Sequence, residues 1–221
     1  MIIWIASYPK SGNTWLRSLL CSYFYSHDGS FNFNLLKNIN SFPAENHFKS
    51  YEDKFEKPED TAKYWIKEQE KINQSKKIRF FKTHNALCKI NNFRFTNTSN
   101  TLGAIYIIRD PRNVITSLSN HYQISKEEAL NFMLDEKRGI VSKVKNRYLG
   151  FQPLLSWLLN QKSWIDNKSF PVFSVRYEDL ELETYNTFIK ILEFINSLTK
   201  NNDPIDKDKI KNVLKIAVLI K

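Results

Sequence analysis

The sequence predicts an α/β fold, a three-layer sandwich in which helices cover both faces of a central parallel sheet. Short apolar runs typical of buried strands alternate along the chain with longer segments of helical periodicity. Strands separated by helices need crossover connections, and these make the strands parallel. The chain has 221 residues, 42% hydrophobic and 14% aromatic, without a repeat or flexible linker, so we expect a single domain over residues 1–221.

Local patterns justify the first elements. Residues 2–6 are a short apolar run followed by turn residues, which favours a buried strand. Over residues 13–25, Leu16, Leu19 and Leu20 recur at helical spacing. Further helices are expected at residues 58–74, 111–122, 154–164, 184–196 and 208–220, and further strands at 78–81, 103–108 and 171–175. The segment 31–55 has weak periodicity and is expected to be irregular.

Helix starts are marked by residues that suit a first turn. Pro58 is tolerated there because its missing N–H has no helical partner. Asp110 is expected to cap the helix that begins at Pro111. Ser125 and Glu128 have the spacing of a capping box, so another helix should begin between them.

Positive charge is concentrated in two windows. Lys and Arg number 33 against 23 Asp and Glu, a net charge of +10, yet no acid precedes Asp28 or lies between Lys71 and Arg109. A basic balance indicates an anionic partner, which leaves nucleic acid, a membrane surface or a phosphorylated small molecule open. A site for a multiply charged anion should exclude carboxylates, whereas the alternative is a solvated basic face.

Several classes of protein are excluded. Cys21 and Cys88 cannot form a disulfide framework, and their spacing matches no metal site. The longest apolar runs are far below the ~20 residues that span a bilayer. Residues 1–6 are too short for the core of a signal peptide and lack a basic lead-in. We therefore expect a cytoplasmic protein without a membrane span or a metal.

The loop between the first strand and the first helix is suited to bind an anion. Residues 6–15 read Ala-Ser-Tyr-Pro-Lys-Ser-Gly-Asn-Thr-Trp and follow a strand of the parallel sheet, at the edge where ligands bind. Unpaired N–H groups and the helix dipole attract phosphate or sulfate there. Gly12 allows close approach of the backbone, Lys10 adds a charge, and Ser11 and Thr14 add hydroxyl groups.

The same loop departs from a conventional P-loop, G-x-x-x-x-G-K-[ST]. Ser7 stands in place of the first glycine and Asn13 in place of the lysine that reaches the β- and γ-phosphates. A nucleotide or metabolite kinase, which needs that lysine, is thus an alternative. An ordinary strand–turn–helix with a surface lysine is another.

Four segments resemble, in family order, the sulfotransferases that use 3′-phosphoadenosine 5′-phosphosulfate (PAPS). Residues 8–16 resemble their 5′-phosphosulfate loop, and residues 81–84, Phe-Lys-Thr-His, their Lys-Thr-His segment. Residues 106–117 resemble the 3′-phosphate motif, with Arg at a strand end and Ser eight positions later. Residues 175–180 resemble the Arg-Tyr-Glu-Asp-Leu stretch. The resemblance extends from residue 2 to about 196 and implies the P-loop NTPase-like sulfotransferase fold of cytosolic and bacterial members.

The resemblance implies an enzyme that moves a sulfuryl group from PAPS to a hydroxyl or amine acceptor by in-line displacement, without a metal. The product is adenosine 3′,5′-bisphosphate (PAP), His84 is the general base, and Lys10 and Lys82 stabilise developing charge. The implied PAPS-binding residues are Lys10, Ser11, Gly12, Asn13, Thr14, Trp15, Arg109, Ser117 and Tyr177.

Each implied role has a simpler alternative. Arg109 offers a planar fork for phosphate; taken alone its position favours a surface ion pair with Asp110, but the spacing to Ser117 in the context of the resemblance favours phosphate. Trp15 suits purine stacking or a core position, and Tyr177 either approaches the adenine or anchors a strand end. His121 lies on a predicted helix surface and is interpreted as structural.

Three further interpretations remain open. Family members usually continue into a C-terminal Arg-Lys-Gly segment, which is not found here after residues 217–220, so PAPS affinity and activity are in question. An inactive relative that only binds the nucleotide is therefore an alternative. A nucleic-acid module would use the basic windows with Phe80, Phe81, Phe93 and Phe95. We expect a small-molecule, glycan or lipid acceptor, not nucleic acid, in a pocket lined by residues 26–75 and 123–150.

Overall fold

Parallel strands form the centre of the computed structural model, which describes residues 1–215. The strands are β1 (Ile2–Ser7), β2 (Arg79–Thr83), β3 (Lys89–Ile90), β4 (Phe93–Arg94), β5 (Thr101–Ile108), β6 (Gly139–Val144), β7 (Arg147–Pro153) and β8 (Val172–Arg176). The central sheet has the order β2–β1–β5–β8, with every pairing parallel. This confirms the predicted α/β class. The strands β3 and β4, and likewise β6 and β7, pair as antiparallel hairpins.

Helices connect the strands. They are α1 (Asn13–Tyr25), α2 (Glu45–Phe48), α3 (Trp65–Asn73), α4 (Pro111–Tyr122), α5 (Lys126–Leu134), α6 (Trp157–Ile165), α7 (Tyr177–Leu182), α8 (Thr184–Thr199) and α9 (Lys207–Leu214), with 3₁₀ helices at Phe33–Asn38 and Pro58–Tyr64. The Asp110 side chain accepts from the Arg112 N–H, and Ser125 and Glu128 form the predicted capping box. In the described residues no helix combines the length and apolar character needed to cross a membrane.

Strand β1 shows why the molecule has three layers. All six of its residues are buried, and alternate side chains point to opposite faces of the sheet. Ile3 and Ile5 pack into an apolar cluster with α1, α8 and α9. Ile2, Trp4 and Ala6 pack into a second cluster with residues of α2, α3 and α6. Helices therefore cover both faces. Phe80, Phe81 and Phe95 are buried in these clusters, whereas Phe93 is exposed.

Several predicted boundaries differ from the structure for local reasons. The helix predicted over 154–164 begins at Trp157, because the Ser156 side chain accepts from the Leu159 N–H and caps it. The helix predicted over 58–74 is 3₁₀ over its first half. Both hairpins and α7 were not predicted, nor were α2 and the 3₁₀ helix Phe33–Asn38, which lie in the segment 31–55 that was expected to be irregular. Of the helix predicted over 208–220, the part beyond residue 215, including residues 217–220, lies outside the described residues.

The strand order creates a crevice at one edge of the sheet. After β1 the chain crosses to β2 on one side, and after β5 it crosses to β8 on the other. Adjacent strands whose connections leave in opposite directions open a cleft outside their carboxyl ends. The cleft between β1 and β5 is where the loop after Ser7 and the residues after Ile108 meet.

Candidate functional site

A cavity of about 680 Å³ lies at this edge of the sheet and collects residues from all four sequence segments. It is lined by Pro9, Lys10, Gly12, Asn13, Thr14, Trp15, Arg17, Lys82, His84, Arg109, Ser117, His121, Tyr122, Ile140 and Tyr177. Within the described chain these lining residues include no Asp or Glu. The sequence analysis expected an anion site that excludes carboxylates, and this cleft brings Lys10, Lys82 and Arg109 together without one among the described lining residues.

The loop after β1 leaves the start of α1 open to a ligand. Gly12 is the N-cap residue with φ 96°, and no side chain caps the helix. The first turn contains no acid, so the N–H groups of Asn13 and Thr14 and the positive end of the helix dipole remain for an anion. A Cβ at Gly12 would lie 2.8 Å from Cε2 of Tyr177. Glycine is required here for its conformation and for its size.

Asn13 holds the loop against β1. Its Nδ2 donates to the Ile5 carbonyl at 3.1 Å and to the Ser7 Oγ at 3.2 Å. The side chain that replaces the kinase lysine therefore points back to the strand. Ser11 does not line the cavity. It is buried within the loop, and its hydroxyl has no hydrogen-bond partner in the described part of the chain.

Arg109 joins the two ends of the cleft. Its Nη1 donates to the Lys10 carbonyl at 2.9 Å, and its Cζ lies 4.1 Å from the centre of the Tyr177 ring. Its Nε is buried without a partner among the described residues, and the residue lines the cavity, so the guanidinium brings a positive charge to the cleft. Asp110 pairs instead with Arg112 at 2.5 Å, so the interpretation of Arg109 as an ion-pair partner of Asp110 is wrong.

Trp15 and Tyr177 form an aromatic wall of the cavity. Their rings meet edge to face with centres 5.4 Å apart. Trp15 is only 4% exposed and belongs to the apolar core beneath α1, yet it also lines the cleft. Trp15 therefore occupies a core position, as one interpretation expected, and also borders the cavity, as purine stacking would require.

His84 follows β2 with its tautomer fixed by the backbone. A carbonyl oxygen only accepts, so Nδ1 carries the hydrogen that is donated to the Ser7 carbonyl at 2.7 Å. Nε2 is then the atom free to accept a proton. Burial and the charge of Lys82 hold the pKa of His84 well below its usual range. The imidazole is neutral at physiological pH, as a general base must be.

Lys82 is a cation with a strongly perturbed environment. Burial, and then the neighbouring Arg17, lower its pKa to about 8. Arg17 is fixed in turn by hydrogen bonds from Nη2 to the carbonyls of Ile39 at 2.7 Å and Leu36 at 3.2 Å. An anion bound between such cations would relieve their mutual repulsion.

Three lining residues were not identified from the sequence: Arg17, His121 and Tyr122. His121, which was interpreted as structural, lines the cleft. The sequence did contain a signal that His121 lies at the site, since it follows Ser117 by one helical turn and shares its face of α4. Of the ranges expected to line an acceptor pocket, 123–150 contributes Ile140 to this cavity, and 26–75, all of which is described, contributes nothing.

No group of three or more His, Cys, Asp or Glu in residues 1–215 could hold a metal ion. A family model described as "Sulfotransferase domain" matches residues 2–215. No curated protein sequence matches the chain.

Two solved structures share low similarity with the chain. Retinol dehydratase, in a complex with retinol and PAP, is 17% identical with a TM-score of 0.44, and the match covers 98% of this chain. An uncharacterised protein from Eubacterium ventriosum is 13% identical with a TM-score of 0.39, and the match covers 89% of this chain and 98% of that one. The chain spans 64% of the length of the retinol dehydratase chain.

Proposed function

Because the chain belongs to the sulfotransferase family, we propose that it transfers a sulfuryl group from PAPS to a hydroxyl or amine acceptor and releases PAP. One observation carries the proposal. The uncapped start of α1 and the strand-end Arg109 are joined by the hydrogen bond from Arg109 to Lys10, inside a cleft that no described carboxylate lines. Two anion-binding positions in one cleft suit a nucleotide with a phosphate at each end.

The residues of the cleft fit the donor. The N–H groups of Asn13 and Thr14 would hold the 5′-phosphate, since the helix start has neither an acid nor a capping side chain. The guanidinium of Arg109, with the hydroxyl of Ser117, would hold the 3′-phosphate. Tyr177 would border the base, and its ring keeps the Arg109 guanidinium in place. PAPS supplies the sulfuryl group that is transferred.

His84 would remove the proton of the acceptor at Nε2. Its Nδ1 is occupied by the Ser7 carbonyl, and its lowered pKa keeps it neutral. Proton transfer by a positioned base contributes about 10²–10⁴-fold to a rate. Lys10 and Lys82 would stabilise charge on the leaving oxygen and the transferred group.

Fixed cations would replace a metal in this reaction. A sulfuryl group carries less charge than a phosphoryl group, so less neutralisation is required of the site. Tyr122 and Ile140 offer apolar surface beside the cations, which favours a small-molecule acceptor with an aromatic or alkyl part. Activity is expected to persist in EDTA without added Mg²⁺.

Calorimetry with PAP tests the proposal. Arg109→Ala and Lys10→Ala should each weaken PAP binding about 10- to 100-fold, because charged hydrogen bonds are lost. Lys190→Ala, an exposed lysine on α8, is the matched control and should bind as the wild type does. A screen of phenols, alcohols and amines with labelled PAPS then identifies the acceptor.

The alternatives give different outcomes in the same experiments. Tight binding of MgATP without binding of PAP would favour a kinase and overturn the proposal. PAP binding without transfer to any acceptor class would leave an inactive nucleotide-binding relative. Steeply salt-dependent oligonucleotide binding without PAP binding would favour a nucleic-acid module.

A further inference from the structure

A second cavity of about 640 Å³ lies between α6 and the chain segment 87–98. It shares no lining residue with the cleft at the sheet edge. Its volume is typical of cavities that bind small ligands. Leu87, Leu155 and Leu159, which are partly exposed, give it apolar walls.

Hydrogen bonds hold the two walls of this second cavity in place. The Leu87 N–H donates to the Ser163 Oγ of α6 at 2.9 Å. The Phe95 N–H donates to the Cys88 carbonyl at 3.0 Å and closes the β3–β4 hairpin onto the cavity. A cavity with preformed walls binds a ligand without the cost of ordering them.

The rim of the second cavity carries unpaired positive charge. Lys89 and Arg94 both line it and are directly opposite each other across the β3–β4 hairpin. Like charges in such a cross-strand pair destabilise a hairpin. Neither side chain, nor that of Lys162 on α6, has a hydrogen bond or ion pair with any described residue. Asp166 is the one acid among the described lining residues. An anion between Lys89 and Arg94 would remove their repulsion.

We propose that the second cavity binds a small amphiphile with one anionic head group, such as a medium-chain carboxylate. The head group lies at Lys89 and Arg94, and the alkyl chain lies on the walls formed by Leu87, Leu155 and Leu159. The apolar walls would not hold a small inorganic anion alone, and the cations would disfavour a cationic amphiphile. The proposal does not depend on the reaction proposed for the other cleft.

Cys88 allows a direct test because its partly exposed thiol lines the second cavity, whereas Cys21 is fully buried. We expect decanoate to slow the alkylation of Cys88 by N-ethylmaleimide. The reaction is run without nucleotide and is monitored by mass spectrometry. Decanol and decyltrimethylammonium should protect much less. Cys21 should stay unmodified throughout, which reports that the chain remains folded.

Variants separate the charge from the apolar walls. The double variant Lys89→Glu/Arg94→Glu should weaken decanoate protection about tenfold, because two partly solvated attractions are lost. Lys190→Glu, the same charge change on α8, should leave it unchanged. Leu159→Trp should abolish protection by filling the cavity. Equal protection by all three amphiphiles, unchanged protection in the double variant, or no protection by decanoate would each overturn the proposal.

Discussion

The Ser7 carbonyl decides which ring nitrogen of His84 is free to accept a proton. Ser7 ends β1 and His84 follows β2, so the parallel pairing of these two strands brings the carbonyl and the ring together. The side chain is thereby positioned by secondary structure and not by a flexible loop. The same parallel edge places Lys82 beside the ring, where burial and the charge of Lys82 lower the pKa of His84.

Replacement of His84 by glutamine should separate chemistry from binding. In His84→Gln the new side chain is polar but cannot take a proton, so the transfer rate should fall about 10²–10⁴-fold. PAP affinity by calorimetry should stay within about twofold. His27→Gln, at an exposed histidine, is the control. A variant that transfers sulfuryl groups at the wild-type rate would remove His84 from the mechanism.

Lys82 should lower the stability of the ligand-free protein. Its pKa is about 8 when folded and 10.5 when free, so the unfolded chain binds more protons between these values and stability rises with pH there. Below pH 8 the full cost is present, at most about 3 kcal/mol. Lys82→Met should therefore raise the free energy of unfolding at pH 7.

Denaturant titrations at pH 7 and pH 10 measure this effect of Lys82→Met. The increase in the free energy of unfolding should shrink at pH 10, where much of the folded wild type has lost the Lys82 proton. PAP should stabilise the variant less than the wild type, because one cation of the cleft is missing. Lys190→Met should show neither change. A loss of stability on Lys82→Met at pH 7 would contradict the argument.

The first loop and α7 act as one unit, since Tyr177 packs directly against Gly12. Gly12→Ala should lower the free energy of unfolding by about 1–3 kcal/mol and abolish PAP binding, because φ 96° is strained for alanine and its methyl group meets the ring. Adding Tyr177→Ala should restore part of the stability, measured in a double-mutant cycle. Simple additivity of the two changes would show that the clash contributes nothing.

Helix α6 holds the segment after β2 through a buried asparagine. Asn160 Nδ2 donates to the carbonyls of His84 at 3.0 Å and Leu154 at 2.8 Å, and its Oδ1 accepts from the Tyr106 hydroxyl at 2.7 Å. Asn160→Leu leaves these buried groups unpaired and should cost about 2–4 kcal/mol of stability. It should also lower the transfer rate, because the His84 backbone loses its support.

The Asn160 prediction has its own control. Ser163→Ala, three residues along α6, removes the hydrogen bond to the Leu87 N–H. Asn160 bonds the carbonyl of His84 itself, whereas Leu87 lies three residues after His84. It should reduce stability while the transfer rate measured at a temperature well below unfolding changes little. If both variants reduce the rate equally, α6 supports the whole segment and not the His84 carbonyl in particular.

The central sheet and the edge that carries the candidate site were predictable because their signals are local. Apolar runs mark β1 and β5, and the turn residues after β1 mark the loop. The hairpin of β6 and β7 was missed because Ser142, Lys143 and Lys145 interrupt any apolar alternation. Arg17 was missed as a lining residue because its place depends on the carbonyls of Leu36 and Ile39, which are distant in sequence.

Charge acts at the scale of the whole molecule. The chain has a net charge of +10, and the cleft contains Lys10, Arg17, Lys82 and Arg109 without a described lining carboxylate. A concave positive site concentrates its field and attracts a multiply charged ligand from a distance. Encounter with PAP should therefore depend on the cleft more than on the scattered surface lysines.

Salt dependence separates these two contributions. The association rate of PAP, measured by stopped-flow tryptophan fluorescence, should fall steeply between about 50 and 500 mM NaCl, because the Debye length shortens from about 14 to about 4 Å. Arg109→Ala should flatten this dependence, since one fixed charge of the cleft is lost. Lys190→Ala, which makes the same change in net charge on the exposed face of α8, should leave the slope as it is in the wild type. If both variants flatten the slope equally, net charge and not the shape of the cleft governs encounter.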